Sequence, residues 1–167
     1  MTMILRIMTF RFTKKISLFL FLAFGLQACS QKSFKEMADD MAGDRAPIVQ
    51  LSDFDSTAVI VDTRERAEYD VSHIPGAIWV GDDVSKMNGI SKDKKIIVYC
   101  SVGYRSGKYA AKLREQGYTQ AYNLWGGIFN WVNVGKEVED SKGLTQRVHG
   151  FSKKWGKWVS KGVVVYE

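Results

Sequence analysis

Cysteine, histidine and proline are scarce in this sequence, two of each in 167 residues. Two cysteines allow at most one internal bridge, which excludes a disulfide-stapled miniprotein. The two histidines, His73 and His149, show no ligand spacing with a thiol, so no metal site is predicted. A hydrophobic fraction of 46% without repeats or low-complexity tracts excludes a mainly disordered or collagen-like chain. Acidic residues are absent from the first 28 positions, which carry Arg6, Arg11, Lys14 and Lys15. Without that stretch the formal charge of +6 falls to +2, 20 basic residues against 18 acidic. The positive balance therefore belongs to the leader, and nucleic acid is not expected as a partner. What remains is a globular composition, long enough for one domain with a proper core and too short for two large ones.

Residues 1–28 read as an export signal. Basic residues up to Lys15 precede an apolar run over 16–26. Its 11 residues fall short of the ~20 that span a bilayer as a helix. The run ends in Leu26-Gln27-Ala28-Cys29, which resembles the lipobox of bacterial lipoproteins. That resemblance implies cleavage before Cys29 and attachment of lipid to it. Several acyl chains on one residue hold a membrane far more firmly than one. Ser30 follows, and in Gram-negative lipoproteins the lack of Asp at that position implies the outer membrane, facing the periplasm. The competing readings are a plain secretory signal and a short anchor helix with an incidental cysteine.

Residues 29–46 are polar and read as a tether or a short helix. Phe34, Met37, Ala38 and Met41 fall at helical spacing, so a helix there could pack on its own domain or dock elsewhere. Beyond Pro47, short apolar runs alternate with helical stretches. Strands are predicted over 58–62, 78–80, 94–100 and 121–124, the third being a β-branched run with a charged entrance. Helices are predicted over 65–69, from the loop after Cys100 to about Gln116, and over 128–134. Gly117 suits the left-handed position just past a helix end. Strands separated by helices imply an α/β fold, a parallel sheet with helices on both faces. Sites in such sheets sit at the carboxyl ends of strands, where Cys100 lies.

The segment Cys100-Ser101-Val102-Gly103-Tyr104-Arg105-Ser106 joins a strand to a helix start. Backbone N–H groups gathered at such a turn attract anions, and the helix dipole adds to them. A thiol held there is expected to ionise readily and act as a nucleophile. Gly103 permits a backbone conformation barred to other residues. Arg105 supplies forked donors and a positive charge suited to an oxyanion. The alternative is a buried structural cysteine at a strand end.

Four pieces in order now resemble the rhodanese family: Val61-Asp62-Thr63-Arg64 with Glu68-Tyr69, then His73-Ile74-Pro75-Gly76-Ala77, then the Cys100 loop, then Leu124-Trp125-Gly126-Gly127 with Trp131. The likeness covers residues 47–135. It implies a five-stranded parallel sheet and transfer of a sulfane sulfur through a persulfide on Cys100. Backbone N–H groups of residues 101–106 would steady that persulfide, and Arg105 would help bind an anionic donor. The implied partners are a small anionic sulfur donor and a thiol or cyanide-like acceptor, with no organic cofactor. Cysteine-based phosphatases place arginine six positions after the nucleophile; here Arg105 lies five after, and Ser106 takes the sixth place. Many thiosulfate-using relatives carry extra basic residues in the loop, where this chain has Ser101, Val102 and Tyr104. A less charged persulfide or a protein donor would suit it as well. Asp62 and Arg64 are supporting candidates, with Asp62 able to pair with Arg64, accept backbone hydrogen bonds or touch the loop. His73 is read as holding the turn at Pro75, and Ser106 as a helix-start hydrogen-bonder.

Residues 136–167 extend beyond the resemblance. Phe151, Trp155, Trp158 and Val159 follow helical spacing, with Lys153, Lys154, Lys157 and Lys161 offset from them. The leading reading is a helix packing that aromatic face on the domain with its lysines in solvent. A membrane-surface helix and a nucleic-acid stacking platform are the alternatives. A strand follows at 162–166, and the extension could shape the pocket mouth. Two function classes remain: a sulfurtransferase, and a non-catalytic module that binds an anion or a partner.

Overall fold

Short β-branched runs build the centre of the molecule. A computed structural model describes residues 32–167, and residues 33–167 form one folded unit. The export signal and Cys29 lie outside the described residues. Strands β1 (Ile48–Val49), β2 (Val59–Asp62), β3 (Ile78–Trp79), β4 (Ile96–Tyr99) and β5 (Ala121–Leu124) form one sheet. Its order is β1-β5-β4-β2-β3 and every pairing is parallel. Helices α1 (Phe34–Ala42), α2 (Arg66–Val71), α3 (Tyr104–Glu115) and α4 (Gly127–Asn133) surround it.

Strand β4 shows why the sequence is apolar without alternation. Successive side chains of a strand point to opposite faces. Ile96 and Val98 pack with Ala110 and Leu113 of α3, while Ile97 and Tyr99 pack with Ile128 and Phe129 of α4. Both faces are covered, so all four positions are buried and apolar surface is needed on each. The α3 helix ends as its sequence predicts, with Gly117 at φ +94° past the last turn.

Of the two readings for residues 29–46, the tether gives way to the short helix: α1 packs on its own domain, with Met37, Ala38 and Ala42 buried. Ser33 caps it, its hydroxyl accepting from the Glu36 N–H at 3.2 Å while the Glu36 carboxylate accepts from the Ser33 N–H at 2.7 Å. The aromatic and lysine-rich helix expected after Phe151 is a single turn, α5 (Lys153–Gly156). Phe151 before it has left-handed backbone at φ +60°, and Gly156 is a poor helix former. Trp155, Trp158 and Val159 still pack on the core, so the aromatic face is used without a long helix.

The rest of the extension is a hairpin, β6 (Val138–Asp140) with β7 (Gly143–Thr145), and a parallel pair, β8 (Arg147–His149) with β9 (Val163–Val165). Residues 150–162 make the crossover between β8 and β9. Val138 and Val148 are buried in the same core cluster as Ile97 and Phe129. Among the described residues no helix is long and apolar enough to cross a membrane.

Candidate active site

Cys100 follows the last residue of β4, in the middle of the sheet, and is almost fully buried. The turn after it is shaped by α4. The first N–H groups of a helix have no partner inside it. Here the N–H groups of Ile128 and Phe129 donate to the carbonyls of Cys100 and Ser101 at 2.9 and 3.1 Å. Each peptide is planar and trans, so the N–H groups of Ser101 and Val102 point away from α4. The close approach needs Gly127: a Cβ there would fall 2.8 Å from the carbonyl carbon of Ser101 and closer still to the Cys100 oxygen. Gly126 and Gly127 both adopt positive φ, +68° and +55°.

Gly103 has φ +105° and turns the chain into α3. Its N–H donates to the Cys100 Sγ at 3.2 Å. No side chain caps α3, so the N–H groups of its first turn, from Tyr104 to Ser106, are left to the loop. The Ser106 hydroxyl lies 3.4 Å from Sγ and donates to the Asn123 Oδ1 at 2.7 Å. Asn123 Nδ2 donates to the Gly103 carbonyl at 2.9 Å, which pins the loop to β5. Ser106 has a single hydrogen, so its bond to Asn123 leaves an oxygen lone pair, not a donor, toward Sγ.

Arg105 is not the isolated charge that the sequence suggested. Its Nη1 and Nη2 donate to the two oxygens of Glu68 at 2.6 and 2.8 Å, and Nη2 also donates to the Ser101 hydroxyl at 3.1 Å. The Ser101 hydroxyl in turn donates to Glu68 at 3.0 Å. Burial alone would raise the Glu68 pKa, but the bonds and charge of Arg105 outweigh it and hold the carboxyl below its ordinary value. Burial opposes the Arg105 charge, yet Glu68 and Cys100 together raise its pKa.

Asp62 and Arg64 stand apart from this cluster. Both are fully buried, and the guanidinium grips the carboxylate with contacts from 2.6 to 3.0 Å. Asp62 also accepts from the Arg64 backbone N–H, and Arg64 Nη2 donates to the Ser72 carbonyl at 2.6 Å. The pair ties the end of β2 to the end of α2. Arg64 Nη1 is the one buried side-chain nitrogen or oxygen among the described residues without a hydrogen-bond partner. His73 stacks on Tyr69, with ring centroids 3.8 Å apart, and its Nδ1 lies 3.1 Å from the Tyr69 carbonyl. Its backbone pairs with Glu139 of β6.

A cavity of about 420 Å3 opens over Cys100. The loop and α3 supply Ser101, Val102, Tyr104 and Arg105 to its wall. Met41 of α1 supplies another part, and Phe151 and Trp155 come from the crossover between β8 and β9. The Phe151 ring lies against the Arg105 guanidinium, 5.1 Å from ring centroid to Cζ. Its left-handed backbone costs about 1–2 kcal/mol. The Phe151 N–H donates to His149 Nδ1 at 3.1 Å, which holds it there. Among the described residues no group of three or more His, Cys, Asp or Glu side chains could hold a metal ion.

The structure thus brings Cys100 together with all six loop residues and leaves Asp62 and Arg64 outside. Sequence reasoning missed five contributors: Asn123, Glu68, Met41, Phe151 and Trp155. Asn123 left a signal, a polar residue inside an otherwise apolar strand. Glu68 stands in one of the motifs but only the fold shows its pairing with Arg105. Phe151 and Trp155 belong to the extension that could shape the pocket mouth, without a signal for either residue, and nothing in the sequence aims Met41 at the cavity.

The rhodanese-like domain family matches this chain over residues 47–134. A tRNA uridine(34) hydroxylase from Erwinia tasmaniensis is 32% identical over 124 residues, covering 67% of this chain and 34% of that protein. The chain therefore spans about a third of the length of the curated relatives it matches. A solved protein from Bacillus halodurans superposes with a TM-score of 0.52 at 28% identity, covering 59% of this chain and 80% of that one. A rhodanese-like domain protein from Staphylococcus aureus superposes with a TM-score of 0.50 at 24% identity, over 57% of this chain and 98% of that one, and shares the fold. The family match spans more than half of the sequence and contains the Cys100 loop, the Asp62–Arg64 pair and the glycines beneath the loop, so the chain belongs to the rhodanese-like domain family.

Proposed function

We propose that this protein is a sulfurtransferase that carries a sulfane sulfur on Cys100. The observation that supports this best is the position of the thiol. Its Sγ lies beside the uncapped start of α3, accepts from the Gly103 N–H at 3.2 Å, and borders an open cavity. A structural cysteine has no need of an approach from solvent or of a loop of donors.

The transfer takes two displacements. The Cys100 thiolate attacks the outer sulfur of the donor, thiosulfate or a persulfide. The Sγ–S bond forms as the donor's S–S bond breaks, and the electron pair leaves with the donor, as sulfite in the case of thiosulfate. A thiolate or cyanide-like acceptor then attacks the outer sulfur of the persulfide, and the pair returns to Cys100. No organic cofactor takes part. The N–H groups at the loop and at the start of α3 offset the negative charge on the outer sulfur. Gly103 and Asn123 hold that cradle in shape before the donor arrives. Lipid on Cys29 would place the enzyme on a bacterial membrane, at the periplasmic face of the outer membrane.

Intact-mass measurement after incubation with each donor tests the reading. The wild type should gain about 32 Da, one sulfur on a reactive thiol, and lose it on addition of cyanide. Cys100→Ser should show no gain. No gain in folded wild-type protein with a titratable thiol would overturn the proposal and favour the anion- or partner-binding module.

A further inference from the structure

Resting on the sulfurtransferase reading, we propose that the donor this site selects is an organic sulfane-sulfur compound with an apolar body, chosen by Phe151, Trp155 and Met41. The cavity over Cys100 has the volume of a small-molecule site, about 420 Å3, more room than a thiosulfate ion fills. Its far wall is apolar and comes from outside the matched family segment: Met41 on α1, Phe151 and Trp155 on the crossover. Phe151 is 49% exposed, so an aromatic face is left at the mouth for a ligand to cover.

The charge points the same way. A doubly charged donor is held better where an uncompensated cation joins the backbone N–H groups. The Arg105 guanidinium is already bound through Nη1 and Nη2 to Glu68, and its face lies against Phe151. Ser101, beside Arg105 on the wall, turns its hydroxyl to Glu68 as well. An entering dianion meets a neutral pair, whereas a donor with at most one charge keeps its charged end at the loop N–H groups and lays its body on the aromatic wall. For a thiosulfonate the step balances as before: Cys100 Sγ takes the outer sulfur, and the sulfinate leaves with the electron pair.

Benzenethiosulfonate and methanethiosulfonate carry the same reacting group and the same charge and differ only in body. The full chain should show kcat/KM for the benzene compound above that for the methane compound by about tenfold or more, from burial of the ring. Thiosulfate should be the poorest of the three. The double substitution Phe151→Ala with Trp155→Ala should bring the benzene-to-methane ratio close to one, mainly through KM. Met41→Ala, on a separate element, should lower the ratio as well and serves should the double variant fail to fold. Equal kcat/KM for the three donors, or a ratio that survives these substitutions, overturns the inference and leaves the sulfurtransferase reading standing. Failure of every donor to load Cys100 in the wild type overturns the reading itself.

Discussion

Glu68 is 2% exposed in its side chain, and both of its oxygens bond Arg105. Its pKa lies below the ordinary value of 4.5, because the guanidinium outweighs the effect of burial. A carboxyl depressed on folding adds stability that is fully present above its unfolded pKa and is lost as pH falls through the folded value. The thermal midpoint should therefore decline as pH drops below about 4.5, and Glu68→Gln should flatten that part of the curve. At neutral pH the same substitution should cost about 2 kcal/mol, less than a fully buried pair because Arg105 keeps 28% of its side chain in solvent. Chemical denaturation of both proteins measures it. At this scale the sequence was half legible. Cys100, Gly103 and Arg105 announce themselves by type and spacing within one loop. The partner of Arg105 does not, because Glu68 lies 37 positions away and only the packing of α2 beside the loop brings it there.

The start of α4 is the element on which the loop rests. Its N–H groups hold the carbonyls of Cys100 and Ser101, and Gly127 leaves no side chain in between. Gly127→Ala would both force an alanine into left-handed backbone and drive its methyl into the Cys100 carbonyl. A loss of at least about 3 kcal/mol is expected, beyond the ~1–2 of the backbone alone, read as a lower midpoint in urea. Persulfide loading should fall with it, because the loop must move. The elements themselves were largely readable. The strands β2 and β4 are β-branched runs, β5 is a short, mainly apolar segment, and α3 and α4 follow from apolar spacing bounded by glycine. No strand was predicted at β1, β6, β7 or β8, and at α5 the helical spacing of aromatics over 151–159 produced one turn only. Those rings reach the core from irregular backbone, and spacing cannot distinguish that from a helix.

Over the whole molecule, the extension past residue 135 is part of the fold. Val138 and Val148 are buried in the core, the Ser72 hydroxyl donates to the Arg147 carbonyl at 2.6 Å, and His73 pairs with Glu139 through both backbone groups. Two buried valines are worth about 1.5–3 kcal/mol each. A chain ending at residue 135 should melt about 10 °C lower or more than the full chain, as circular dichroism would show. The family resemblance ends where this layer begins. The sequence therefore pointed to the thiol at the end of β4 but not to the wall facing it, which depends on long-range packing of the segment around β8 against α2.

The β8–β9 pair has one more consequence. Strands β8 and β9 bond to each other, in parallel, and residues 150–162 run between them as an arch that packs on the core through Trp155, Trp158 and Val159. The thiol and its cradle are encoded in residues 100–106, well upstream. Exchanges at Phe151 or Trp155 inside the arch would recast the mouth from a segment separate from the thiol's own loop. On the proposals above, chemistry and choice of donor would be written in separate paragraphs of the chain, free to be edited at different rates by natural variation or by design.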